Sequence, residues 1–208
     1  NDITHYYPVG KAGVCHALLP EKGHIRPGEI IVGGDSHTCT YGAFGAFSAG
    51  IGSTDLAAVL AAGELWFKVP ESIKFVMNGE LGECVYSKDM IIAIITRIGT
   101  DGALYKAMEF TGSTIESLSM EARMTITNMA IEAGGKSGII AVDDTTREYL
   151  DRVLPEGKKD YQVFESDADA EYSNVEEFNC SELEPMVAMP NLPSNGEPVS
   201  GQEGIPMD

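Results

Sequence analysis

The segment EIIVGGDSHT, residues 29–38, constrains the fold of this chain more than any other stretch. A short apolar run rich in β-branched residues ends on two glycines and opens into four polar side chains. A run of that kind predicts a buried strand. Downstream, STDLAAVLAAGELWF (53–67) begins on helix-capping residue types and continues rich in Ala and Leu, which predicts a well-packed helix. Strand, polar loop and helix follow one another, and in open α/β sheets ligands bind at the carboxyl ends of the strands.

The alternation continues along the chain. KVPESIKFVMNGELGE (68–83) alternates apolar and polar residues and carries a turn signal at Asn78-Gly79. SKDMIIAIITRIG (87–99) predicts a helix with an apolar coat nearly all round, and DGALYKAMEFTG (101–112) a further strand. STIESLSMEARMTITNMAIEAGG (113–135) predicts a helix opened by a capping box from Ser113 to Glu116 and closed by a glycine pair. SGIIAVD (137–143) predicts another strand. Strands and helices alternating at these lengths predict a layered α/β fold, with boundaries near Pro70 and within residues 155–160. The Pro-, Gly- and Ser-rich residues 189–208 read as a connector.

Charge narrows the function classes. With 14 basic against 32 acidic residues the net charge is −18, and no basic surface exists to neutralise nucleic-acid phosphates. FESDADAEYSNVEEFNCSELEP (164–185) reads as a solvated acidic surface. No apolar run is long enough to cross a bilayer. The start, NDITHYYPVGKAG, has neither an initiator Met nor an apolar leader, which fits a processed or excised chain. Cys15, Cys39, Cys84 and Cys180 are scattered without metal-site spacing, which fits a reducing cytoplasm, and Cys84 and Cys180 read as small half-buried side chains.

Three spots carry polar residues that the pattern does not need. The first is Asp35-Ser36-His37-Thr38 at the end of the strand. A turn with a helix cap would account for Asp35 and Thr38 but not for His37, and a histidine beside a carboxylate suits proton transfer. The second is Asn128 and Glu132, four residues apart and so on one face of an apolar helix. A buried Glu there calls for a His, an Arg or a ligand, a structural salt bridge being the alternative. The third is His16 beside Cys15, where neighbouring side chains are expected to point apart and a packed polar histidine is the plainer reading. His5 and His24 receive no role. Gly42, Gly45, Gly50 and Gly52 match neither dinucleotide-loop nor P-loop spacing, and read as places where backbone approaches another surface closely.

Taken together, GGDSHTCTYGAFGAFSAGIGSTDLAAVLAAGELWFKVPESI, SKDMIIAIITRIG, GALYKAMEFTG, MTITNMAIEAGGKSGII and SELEPMVAMPNLP closely resemble, in the same order, the aconitase family, in its branch of isopropylmalate dehydratase and homoaconitase large subunits. The resemblance covers essentially the whole chain. It implies three-layer α/β/α domains, one partial and one near complete. Residues 1–68 would close the first, 69–150 form the second, and 151–208 lead into a third, cluster-bearing domain.

The implied activity is removal and re-addition of water on a hydroxy-dicarboxylate, assisted by a [4Fe-4S] cluster with one iron acting as a Lewis acid. In this branch that means isomerising 2- and 3-isopropylmalate in leucine biosynthesis, with homoaconitase or a related dicarboxylate dehydratase as the alternative. The partner implied is a small subunit carrying a swivelling domain. The family's cluster cysteines, in a GSCTN-type segment and a later CxxC, are absent, so no metal ligand is assigned here. The chain is expected to be an internal segment, inactive alone, with that segment expected just beyond Asp208. A non-catalytic module that has lost the cluster is the reading from a different class.

By the same resemblance Asp35, His37, His16 and Glu132 are catalytic, and Ser36 and Asn128 bind substrate. Asp35 would pair with His16, and Glu132 with His37.

Overall fold

The computed structural model describes residues 3–204, so the ends of the N-terminal stretch and of the expected connector lie outside the described residues. A short helix α1 (Cys15–Glu21) precedes β1 (Ile30–Gly33), which pairs in parallel with β2 (Phe47–Gly50), Ile30 opposite Phe47. Between them the polar and glycine-rich residues form not a loop but a 3₁₀ helix, Ser36–Phe44, buried from Thr38 to Phe44. It lies flat on a neighbouring strand because position 42 has no side chain. A Cβ on Gly42 would sit 1.6 Å from the carbonyl oxygen of Gly138.

The helix expected over 53–67 is α2 (Ser53–Ala62), but none of its residues is buried, and Trp66 beyond it is 85% exposed. The strand expected to be buried, β1, leaves Ile30 75% exposed. Ala and Leu favour a helix through backbone and rotamer entropy, and β-branched residues favour a strand. Burial needs an opposing layer as well, which the described residues do not place there.

The main sheet is fully parallel. It comprises β3 (Ser72–Asn78), β4 (Ala107–Thr111), β5 (Ser137–Ile140) and β6 (Asn174–Asn179), in the order β5-β4-β3-β6. Alternation puts Ile73, Phe75 and Met77 of β3 into the core, where Phe75 stacks on Phe110 at 5.5 Å. Helix α3 (Ser87–Ile98) buries Met90, Ile91, Ile94 and Ile95 in the same cluster. The acidic surface expected over 164–185 contains the edge strand β6. Glu177 stays outside while Phe178 and Cys180 are buried, an arrangement that keeps charge on an exposed sheet edge. Cys180 is thus fully buried and Cys84 exposed, where both were expected half-buried. Part of the expected connector is also structured, since β7 (Met186–Ala188) pairs antiparallel with β8 (Gly196–Pro198).

The single helix expected over 113–135 breaks into α4 (Ser113–Ser117), α5 (Met120–Asn128) and a 3₁₀ turn, Met129–Ala133. Ser113 caps nothing; Gly112 holds that position, and Ser119 caps α5 by accepting from Ala122 N–H at 3.3 Å. The cause of the break is Arg123, whose side chain is fully buried. Its guanidinium donates to the carbonyls of Leu118 at 3.1 Å and Glu116 at 2.9 Å, which a continuous helix would have used itself. It also forms a two-pronged pair with Asp143, at 2.7 and 2.5 Å. Asp143 in turn caps α6 (Asp144–Val153). A second cluster, with Tyr41, Phe44, Met120, Tyr149 and Leu150, joins the 3₁₀ helix to α5 and α6. Among the described residues no helix is long and apolar enough to cross a membrane.

Candidate active site

Asp35, two residues beyond β1 and in extended backbone, caps the 3₁₀ helix, accepting from His37 N–H at 2.8 Å. Its Oδ1 also takes a 2.9 Å bond from His16 Nε2 on α1. Both donors, the His16 bond foremost, hold the Asp35 carboxyl below the usual carboxylate range. His16 Nδ1 is sealed from solvent and without a partner among the described residues. A buried orphan N–H is rarer than an orphan acceptor, so the partners assign the ring proton to Nε2. Cys15 Sγ comes to 3.6 Å of the same nitrogen, nearer than expected of chain neighbours, but as a weak contact beside the bond to Asp35.

His37 is the hub. Its Nε2 lies 3.2 Å from Glu132 Oε1, and its Nδ1 lies 3.1 Å from Ser36 Oγ. Glu132 and His37 are 95 residues apart in the chain, and the pair closes because the 3₁₀ helix packs against α5 and the turn after it. The Glu132 side chain is 37% exposed rather than buried, since it stands in a cleft wall. Asn128 ends α5 and Glu132 sits in the 3₁₀ turn, yet both line one cleft of about 450 Å³, with His16, Thr40, Lys88 and Glu121. Ser36 instead lines a neighbouring cleft of about 620 Å³, with Gly50, Gly52, Asp55, Tyr105 and Lys136. His37 links the two, bonded to Glu132 of the first cleft and to Ser36 of the second.

Thr40 and Lys88 were not singled out in the sequence. Thr40 looks there like one more residue of a small-polar run, and Lys88 like an ordinary charge in a first helical turn.

The family scan finds a match to the model described as the aconitase family (aconitate hydratase) over residues 2–206. The chain belongs to the aconitase family. It is 58% identical over 207 residues to a 3-isopropylmalate dehydratase large subunit from Syntrophus aciditrophicus, an alignment covering 100% of this chain and 49% of that protein. Proteins of the same description from Halothermothrix orenii and Aquifex aeolicus are 57% and 56% identical over 206 residues, covering 99% of this chain and 48% and 47% of theirs. The chain therefore spans about half the length of the curated relatives it matches.

An iron–sulfur cluster needs several thiolates close together. Burial pushes the Cys39 thiol up to about 12, and its Sγ is spent on the Asn128 carbonyl at 3.4 Å. Cys180 is buried in the sheet core, and Cys15 and Cys84 are exposed. Among the described residues no three His, Cys, Asp or Glu side chains come together as a metal site. These residues do not fit a cluster as its ligands.

Proposed function

We propose that this chain forms one wall of the active site of an isopropylmalate dehydratase large subunit, which interconverts 2- and 3-isopropylmalate by loss and return of water. The observation that carries the reading is the convergence of two histidine–carboxylate pairs, His16 with Asp35 and His37 with Glu132, on one strand end. The likeness over the whole chain to large subunits of that description supports the choice of substrate. The full-length subunit would carry a [4Fe-4S] cluster on cysteines outside this chain, and would act with a small subunit in leucine biosynthesis. Scattered, unpaired cysteines favour the cytoplasm.

Dehydration takes a proton from one carbon and returns one to the departing hydroxyl of the next. Glu132 fixes the ring proton of His37 on Nε2, so His37 presents Nδ1 to Ser36 Oγ as the nitrogen that can take up and return a proton. His16 is held by Asp35 in one tautomer, a fixed donor at Nε2. Ser36 and Asn128 bind and orient substrate. The cleft carries Glu121 and Glu132 against Lys88, and the neighbouring cleft with Ser36 carries Asp55 against Lys136, so a dicarboxylate would need further positive charge from the rest of the enzyme.

The test uses the full-length large subunit with its small subunit, reconstituted anaerobically and assayed for interconversion of the two isopropylmalates. Glu132→Gln is expected to lower kcat at least about 100-fold, the usual reach of a positioned acid or base. Absence of wild-type turnover, or near-normal turnover in Glu132→Gln, would sink the reading.

A further inference from the structure

We propose that Thr40 is a positioning residue for this cleft: its single hydroxyl proton decides which way round the Asn128 amide stands. Thr40 is buried in the 3₁₀ helix, 2% exposed. Its Oγ1 lies 2.6 Å from the His37 carbonyl oxygen and 2.8 Å from Asn128 Nδ2. A carbonyl oxygen only accepts, so Thr40 commits its proton to His37. Lone pairs remain on Oγ1, and these can be met only by the nitrogen side of the amide. The reversed amide would press Asn128 Oδ1 against Oγ1, leaving one proton for two acceptors and one buried contact repulsive.

The amide nitrogen is thereby tied to Thr40. Oδ1 accepts no hydrogen bond among the described residues, and Asn128 lines the cleft shared with His16 and Glu132. The main chains are locked together at the same point. Thr127 Oγ1 donates to the Thr40 carbonyl at 2.8 Å, and Cys39 Sγ to the Asn128 carbonyl at 3.4 Å. Asn128 consequently offers the cleft an acceptor, which matches a hydroxyl or a water and not an ionised carboxylate. The chemical meaning rests on the proposed dehydratase reading, because a dehydratase must tell a substrate's hydroxyl from its carboxylates; the geometry does not.

In the full-length subunit with its partner, Thr40→Val is expected to lower kcat about tenfold, one hydrogen bond's worth of orientation, and Thr40→Ser to restore most of it. Added to Asn128→Ala, Thr40→Val is expected to cost nothing further, since its effect runs through the amide. Full additivity, or equal losses in Thr40→Val and Thr40→Ser, overturns the proposal. A second readout needs no turnover: in the NMR spectrum one Asn128 side-chain amide proton exchanges slowly, and Thr40→Ala but not Thr40→Ser abolishes that protection. Equal exchange in wild type and Thr40→Ala also overturns it. If wild-type enzyme does not turn over isopropylmalate, the functional reading falls while the amide measurement still decides Thr40. Should Thr40→Val fail to fold, Asn128→Asp replaces it. A carboxylate facing the Thr40 lone pairs is expected to lose as much activity as Asn128→Ala, and wild-type activity there overturns the assignment.

Discussion

Asp35 Oδ1 takes bonds from a helix two segments away and from the backbone of the turn it caps, so one carboxylate oxygen ties α1 to the 3₁₀ helix. Its folded pKa lies below the ordinary carboxylate value, so this link stabilises the fold at pH above the unfolded range and is lost as pH falls through the lowered folded value. Replacing His16 by Ala is expected to move the Asp35 midpoint upward in a carboxyl-resolved NMR titration; an unmoved midpoint would remove His16 as its main partner. In the sequence His37 and Glu132 stand out because each is polar where the pattern asks for nothing polar, whereas Asp35 is also accounted for by a turn and helix cap. Thr40 does not stand out, because its importance depends on which two groups meet its oxygen.

Between elements, the buried Arg123 organises the approach of α4, α5 and α6. Burial alone would raise the Asp143 carboxyl, but bonds from Arg123 and Thr146 outweigh it and leave the group below its usual range. The pair therefore supports the fold above the ordinary carboxylate range and weakens as pH falls through the lowered folded value. Asp143→Ala leaves the buried guanidinium without its counter-charge, and with the carboxylate partly exposed it is expected to cost about 2–3 kcal/mol in urea unfolding. A loss under 1 kcal/mol would mean that the carbonyls alone satisfy Arg123. Gly42→Ala meets backbone rather than a flexible side chain and is expected to cost about 3 kcal/mol, displacing the 3₁₀ helix that carries His37. Wild-type stability in that variant would show that the helix can lift from β5 without penalty. Neither contact was visible in advance. The helix signals around 113–135 are local, whereas the break at Leu118 answers to a guanidinium drawn in by α6.

Across the whole molecule, 32 acidic residues against 14 basic ones repel one another. Screening shortens to about 8 Å at physiological ionic strength, so the melting temperature is expected to rise by a few degrees between very low salt and that condition. A flat or falling salt response would show that local ion pairs, not net charge, dominate. The sequence by itself determined the alternation of strands and helices and the surplus of polar residues at one strand end, because periodicity and capping act over a few residues. Only the tertiary structure gives the geometry by which His37 meets Glu132, a pairing that the resemblance implied and local pattern did not, and only it makes β6 an edge strand within the acidic surface and leaves α2 uncovered. A side chain's partner, its burial and the direction of its hydrogen bonds are set by segments far along the chain, which local pattern does not encode.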